Sequence, residues 1–491
     1  MSPAAVCLTT IGAIVAIGTA IGFLAGVRRR MDLEQWTVGG RGFGVLLVFL
    51  LMAGEVYTTF AFLGASGWAY SRGGPTLYVL TYLTLASVVS FFILPQLWEV
   101  GRRYGMQTQS DFFGVRYGNR YLAGLVCVVG IVCFIPYLQL QITGLGLIVS
   151  VASFGGIGRT PAMALAVALL VAFVFAGGVR AVAWVSVVKD ALMLLAALAI
   201  GIGIPLVHFG GIAAMFAALA QAHPAHLTMP GATANLGHSW YVSTVLLTSL
   251  GFYMWPHAFA AAFTAKSGDT LRRNAVVMPL YSLTLAFIFF AGFASVLIVP
   301  GMANGDLALL TVVRQSFPPW FLGIVGGAGA LTAMVPASIF ILTAATLFTK
   351  NLYRPLLAPA MSDDQVARLA RAMVVVLGLI SLALAIFSSS SLVSLLLTGY
   401  AGVSQFFPGV LLGLYWKRVS PTAVFAGLVT GVASAVALMV SHHDPLFGVS
   451  AGFLALCLNF VIVVCGSLLG VALGRYREGG ERAAQLAAAF D

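Results

Sequence analysis

Leu46-Leu47-Val48-Phe49-Leu50-Leu51-Met52-Ala53-Gly54-Glu55-Val56-Tyr57-Thr58-Thr59-Phe60-Ala61-Phe62-Leu63 is apolar at both ends and polar in the middle. A helix that crosses a bilayer needs roughly 20 mainly apolar residues, and this stretch belongs to such a run. Its centre nevertheless carries a carboxyl and three hydroxyls. Working outward, thirteen comparable stretches fill the chain, near 4–27, 43–70, 75–97, 121–152, 161–178, 183–207, 240–263, 275–300, 320–346, 370–388, 392–415, 421–441 and 447–473. They are numbered here as spans 1 to 13. With 60% hydrophobic and 8% charged residues, the chain cannot present a water-compatible surface. Lipid excludes exposed irregular backbone, so the fold class is an all-α polytopic membrane protein.

The charges give the expected orientation. The net charge is +11, with 25 Lys and Arg. With the N-terminus outside, only Arg72, Arg159 and Arg314 fall in outer gaps and only Lys189 within a span. The remainder lie in the gaps on the other side, as the positive-inside rule requires of a cytoplasmic face. The basic excess therefore needs no nucleic-acid partner, and the C-terminus is expected in the cytoplasm of a cell bounded by a plasma (bacterial inner) membrane. Span 1 reads as a reverse anchor, because only Met1–Pro3 precede it and its positive cluster follows the apolar run. Cys7, Cys127, Cys133, Cys457 and Cys465 lie in apolar stretches without metal-type spacing, which predicts small apolar packing roles.

The expected organisation is a leading helix and basic loop (1–42), a first five-span repeat (43–207), an outer loop (208–239), a second repeat of opposite orientation (240–418), two trailing helices (419–474) and a cytoplasmic tail (475–491). The outer loop holds His208, His223, His226 and His238, whose spacing fits no metal-ligand template. Ser362-Asp363-Asp364-Gln365 is a capping-box sequence opening span 10. No Walker-type phosphate loop occurs, and no nucleophile–base or metal-ligand constellation suggests an enzyme. About 18 residues follow span 13, so no output or nucleotide-binding domain is expected. A secondary transporter is the leading class, with a channel or a transporter-like sensor as rivals.

Charge inside a span marks a site hypothesis. Span 2 has Glu55 with Tyr57, Thr58 and Thr59, followed by the small-residue run Gly64-Ala65-Ser66-Gly67; close helix packing through Gly54 and Gly67 is the alternative reading. Span 6 has Lys189-Asp190. Neighbours on a helix point about 100° apart, from 3.6 residues per turn, so these two need not pair, and Lys189 is expected to snorkel to the interface. Span 7 carries Tyr253-Met254-Trp255-Pro256-His257, where proline bends the helix. Span 9 carries Thr332 to Ser338 around Pro336, and span 4 has Tyr137 and Gln141. Breaks at matching places in spans 2 and 7 point to a transport site at mid-membrane.

At these residues the chain resembles the sodium/solute symporter family, which includes the sodium–glucose and sodium–proline symporters. The resemblance rests on Gly39-Gly40-Arg41, Phe62 to Tyr70, Thr108 to Phe113 with Arg116-Tyr117, Gly177-Gly178 to Trp184, Pro256-His257, Thr349 to Tyr353, and Phe407 to Arg418. It covers about residues 35–475. Within the family, Gly54 to Thr59 and Trp184 to Asp190 look most like the bacterial monocarboxylate permease branch.

The resemblance implies a leucine-transporter-type core of two inverted five-helix repeats working by alternating access, with no cofactor and with H⁺ or Na⁺ as coupling ion. Gly54 and Tyr57 then fall where backbone carbonyls hold the family's sodium, the one metal position implied. Thr58, Thr59, Tyr137, Gln141, Tyr253 and Trp255 become substrate-binding candidates, and Gly54, Glu55, Tyr57, Ser338 and Asp190 ion-coupling candidates. Two departures matter. Val335 and Pro336 stand where the family has adjacent hydroxyls in span 9, with Ser338 about a turn away, and Val185-Ser186 replaces a Thr-Asp pair in span 6.

A carboxyl shielded from water holds its proton and gives it up when hydrated, so Glu55 makes proton coupling attractive. The expected function is cation-coupled symport of a small monocarboxylate such as lactate or pyruvate, with the proton favoured. The alternative is sodium-coupled symport of an amino acid, sugar or vitamin. The expected partners are the small organic anion and the lipid bilayer, with no obligate protein partner.

Overall fold

The computed structural model describes residues 1–26 and 39–473. Arg28, Arg29, Arg30 and the 475–491 tail lie outside the described residues. Among the described residues, ten helices are long and apolar enough to cross a membrane, or eleven if one bent pair counts as a single span. The helices follow the apolar segments from Pro3–Gly26 (span 1) to Ala451–Ala472 (span 13), but among the described residues fewer than the thirteen expected are long enough to cross: Arg159–Phe175 of span 5 and His238–Gly251 of span 7 are too short. Span 9, Pro319–Leu357, is the hub: 94% of its most apolar window is buried, against 17% for span 1. Apolar surface at the rim faces lipid, so only the inner helices need close packing within the protein.

Spans 5 and 6 are two helical arms, Arg159–Phe175 and Val182–Phe209. Their far ends lie at the same face. Arg159 donates to the carbonyls of Ala385 and Ser388, while His208 bonds Ser316, and both partners flank the segment around Asp306. We call this face the Asp306 end and the opposite one the Asp111 end.

Spans 2 and 7 lie antiparallel. Phe43 at the start of span 2 exchanges backbone hydrogen bonds with Thr264 and Lys266 just after span 7, at 3.0 and 2.9 Å. At the other end Trp68 stacks near Trp240, ring centres 5.7 Å apart. Both helices are broken. Span 2 is helical over Val45–Val56, turns extended at Tyr57 (φ −90, ψ 94) and resumes as a wide π-turn at Phe60–Gly64. The two halves differ in direction by 49°. Span 7 is helical over His238–Gly251, tightens at Phe252–Met254, opens at Trp255 (φ −61, ψ 133) and restarts at Pro256–Phe263. Proline excludes the helical conformation from the residue before it and itself suits the first helical position. The break in span 7 is thus written by Pro256.

Thr108 to Tyr117 holds a capped helix, Gln109–Tyr117, closed by a Thr108–Asp111 box. The cysteine expectation changed in part: Cys7, Cys127 and Cys133 are buried, but Cys457 and Cys465 are exposed on span 13. The 208–239 loop is helical over Ile212–Ala222. Its remainder lies over the Asp306 end, with Ala232 N–H bonded to Arg72 O. Gly73 sits at φ +75 with the His226 backbone 2.4 Å from where a Cβ would stand, so only glycine fits there. The Ser362–Gln365 capping box is present as read.

The Asp306 end is also closed by backbone on backbone. A Cβ on Gly67 would meet the carbonyl carbon and oxygen of Gly305 at 2.8 Å, atoms that cannot swing aside. Gly67→Ala should lower stability by about 1–3 kcal/mol, the usual range for overpacking. Thermal unfolding of the purified variant in detergent checks this, and an unchanged midpoint would show that the contact is not tight.

Candidate transport site

Between the two breaks the structure gathers a buried polar cluster. Glu55 Oε2 lies 3.3 Å from His257 Nε2, so the carboxyl of span 2 faces the imidazole that follows the break in span 7. Glu55 Oε1 and His257 Nδ1 make no hydrogen bond to the protein. Thr59 donates its N–H to Gln141 Oε1 at 3.3 Å and its hydroxyl to the same oxygen, which docks the resumed half of span 2 on span 4. Thr58 lies at the Tyr137 hydroxyl without a directed hydrogen bond. Tyr137 packs its ring 4.8 Å from Trp255 and 4.1 Å from Phe340. Trp255 Nε1 and Gln141 Nε2 also lack partners. A buried polar atom left alone costs about 1–3 kcal/mol, so five of them around one junction mark a place built to receive polar groups.

A second cluster adjoins the same break. Lys189 Nζ donates to the carbonyls of Gly54 at 2.8 Å and Tyr57 at 3.1 Å, and lies 3.0 Å from Asp190 Oδ1. Both Asp190 oxygens lack a directed hydrogen bond, so that contact is an ion pair held by proximity. Lys189 is 0% exposed. The expected snorkelling is therefore wrong: the side chain runs inward to another helix. The two neighbours also meet, because a long lysine chain can curl back across a 100° offset.

The sequence candidates separate into groups. Gly54, Glu55, Tyr57, Thr58, Thr59, Tyr137, Gln141, Trp255 and Asp190 come together at the two breaks. Tyr57 also turns its hydroxyl to Thr284 of span 8. Tyr253 points elsewhere, to Ser90 of span 3. Ser338 bonds back to Met334 O on its own helix at 2.6 Å. His257 and Lys189 are the partners that sequence reasoning undervalued; a histidine directly after a helix-breaking proline was the available signal for the first.

The site is bounded at both ends. A narrow pocket runs from His257, past Thr343 and Thr346, to Gln107 and Thr108. There Asp111 holds a latch: its oxygens accept from Lys350 Nζ at 2.9 Å and Asn351 Nδ2 at 2.8 Å, and from the backbone N–H of Gln107 and Thr108. Burial pushes the Asp111 carboxyl up, but Lys350, the Gln107 N–H and Asn351 together hold it below its ordinary value. At the far end Asp306 Oδ2 accepts the Leu392 N–H that opens span 11, at 3.0 Å. Burial pushes Asp306 up to about 6, against the pull of that N–H.

A family model described as the sodium:solute symporter family matches residues 36–431. Among relatives, an uncharacterised symporter of Bacillus subtilis, YhjB, is 42% identical over 94% of this chain and 96% of its own. A monocarboxylate transport permease of Rhizobium johnstonii is 28% identical over 91% and 93%. Among solved structures, a substrate-bound, outward-open sodium-coupled sialic acid symporter superposes with a TM-score of 0.78 at 17% identity, covering 95% of this chain and 97% of that one. That likeness carries the leucine-transporter-type fold.

The family implies sodium, and the residues present do not fit it. A hard cation needs a shell of several oxygens. Here the Gly54 and Tyr57 carbonyls are engaged by an ammonium, Val335 and Pro336 offer no side-chain oxygen, and Ser338 faces its own helix. A sodium ion about 4 Å from Lys189 Nζ would be repelled by about 4 kcal/mol at an effective dielectric of about 20.

Asp306 gives a pH test of the outer closure. A carboxyl raised from 3.8 to about 6 on folding stabilises fully below the unfolded value, and that contribution is lost as pH rises through about 6. Asp306→Asn keeps the neutral form and the acceptor oxygen. The wild-type melting temperature should therefore fall relative to Asp306→Asn between about pH 4 and about pH 7. Parallel curves would show that Asp306 does not titrate there.

Proposed function

The chain belongs to the sodium:solute symporter family, and from that premise we propose that it is a proton-coupled symporter of a small monocarboxylate. The observation that carries this reading is the Glu55–His257 contact between the two breaks, set beside the uncommitted donors Thr58 Oγ1, Gln141 Nε2 and Trp255 Nε1. Three donors around one aromatic wall suit a carboxylate with an oxygen substituent beside it. The closely packed rings of Tyr137, Trp255 and Phe340 suit a small molecule. The relative of Rhizobium johnstonii, named for monocarboxylate transport, supports the substrate class.

Charge balance supports the coupling. With Lys189 charged and both Asp190 and Glu55 ionised, the buried region carries one net negative charge. A monocarboxylate would add a second, in a medium where like charges repel strongly. One proton on the Glu55–His257 pair offsets it, so proton and anion favour each other's binding. The donors Thr58, Gln141 and Trp255 hold the anion, Thr59 and Tyr137 shape its pocket, and Glu55 with His257 holds the proton. Tyr253, turned toward Ser90, has no part in this reading. The concentration of Lys and Arg at the Asp111 end supports a cytoplasmic position for that end, and on this reading the pocket from His257 to Thr108 is the path of release.

Proteoliposomes given labelled pyruvate or lactate, with pH and sodium gradients imposed separately, test this. An inward proton gradient should drive accumulation. Full accumulation on a sodium gradient alone would reject the proton. Glu55→Gln should abolish concentrative uptake while leaving exchange of substrate across the membrane. Accumulation unchanged in that variant would remove Glu55 from the mechanism.

A further inference from the structure

The Gly54 and Tyr57 carbonyls are released by the break in span 2 and converge on one point, which Lys189 Nζ fills at 2.8 and 3.1 Å. Its third contact is Asp190 Oδ1 at 3.0 Å. Two carbonyls thus accept from the ammonium and a carboxylate pairs with it, which suits the charged lysine. Ser186 borders the same point one turn earlier on span 6. A Cβ on Gly54 would meet Ser186 Oγ at 3.2 Å and Lys189 Nζ at 3.4 Å. The ammonium thus meets oxygens of two peptides and one carboxylate with no exposure to solvent, while Ser186 Oγ donates to Val182 O on its own helix. Glu55 acts on it from span 2, with His257 behind Glu55. Tyr281 of span 8 stands at Asp190.

We propose that Lys189 is a built-in cation that occupies a sodium-type site at the broken helix, so that the protein binds and requires no sodium, and that truncating Lys189 converts the same oxygens into a sodium site. The reasoning is chemical. Two carbonyls and a carboxylate are hard donors suited to an alkali cation, and the lysine head group meets them instead. A tethered cation cannot dissociate, so it fastens span 2 to span 6 and leaves a proton as the only ion free to enter and leave. Shortening the side chain to a methyl group leaves Asp190 without its counter-charge, a strongly unfavourable state in a buried site that a mobile cation relieves.

The binding test needs no substrate, so it stands or falls apart from the monocarboxylate reading. Purified protein is unfolded thermally in sodium chloride and in choline chloride at equal ionic strength. The wild type should unfold at the same temperature in both. Lys189→Ala should be stabilised by sodium in a saturable way, as a ligand of the folded state alone requires, and should bind radioactive sodium. Lys189→Gln, which fills the space without charge, should ignore sodium. Transport in the wild type should change by less than about twofold on adding sodium at fixed pH, and stimulation of about fivefold or more, the lower range of real coupling, overturns the proposal. Saturable sodium stabilisation of the wild type, an equal response in Lys189→Gln, or a folded Lys189→Ala blind to sodium also overturns it. Should Lys189→Ala not fold, Lys189→Ser replaces it and the wild-type arm decides by itself.

Discussion

A peptide group left unpaired in lipid is what the rest of this structure answers to. In hydrocarbon each such group costs several kcal/mol, so a helix broken at mid-membrane must find partners for what the break releases. Span 7 solves this with Pro256, which has no N–H to orphan, after Trp255 has left the helical conformation. Span 2 has no proline. Its freed carbonyls at Gly54 and Tyr57 are met by Lys189 from span 6, and its resumed half is met by Gln141 from span 4. The two breaks are held side by side because Phe43 and Lys266 join their helices at one end. Polar chemistry at the bilayer centre follows from these few contacts.

The same contacts impose a charge constraint. Burying an ion pair costs desolvation that only good geometry offsets. Lys189 has two carbonyls and a paired carboxylate, whereas Asp190 has the lysine with Tyr281 beside it and Glu55 has His257. The unmet capacity of the cluster therefore lies on its acidic side, away from Lys189. The lysine acts as a fixed pillar, and the exchangeable chemistry is displaced toward Glu55, His257 and the donors beside Tyr137.

How much of this was legible depended on whether a feature was local. Pro256 and the Gly54–Thr59 polar island are local, and both breaks were readable from them. Glu55 was found because a carboxyl in a span needs a reason, but its partner His257 lies on another span, and no periodicity links them. Lys189 was misread for a related cause. Snorkelling weighs the distance along one helix to the interface and cannot see an acceptor 2.8 Å away on another. Ser338 looked like an oxygen donor until its own helix claimed it, because a buried hydroxyl near a free carbonyl one turn back bonds there first.

The two ends of the site are closed by different physics. At the Asp111 end the closure is an ion pair and its hydrogen bonds, with Asp111 and Lys350 side chains 16% and 22% exposed. Water competes directly for such groups, so the latch gives way at small cost once the helices part. Thr108 belongs both to that latch, through Asn351, and to the pocket that begins at His257. Opening it therefore hydrates the imidazole that faces Glu55. At the Asp306 end the closure is the Gly67 backbone against the Gly305 backbone, covered by the outer loop. No single titration dissolves contact of that kind. The break in span 2 thus lies between two unlike closures, and Lys189 ties its freed carbonyls to span 6.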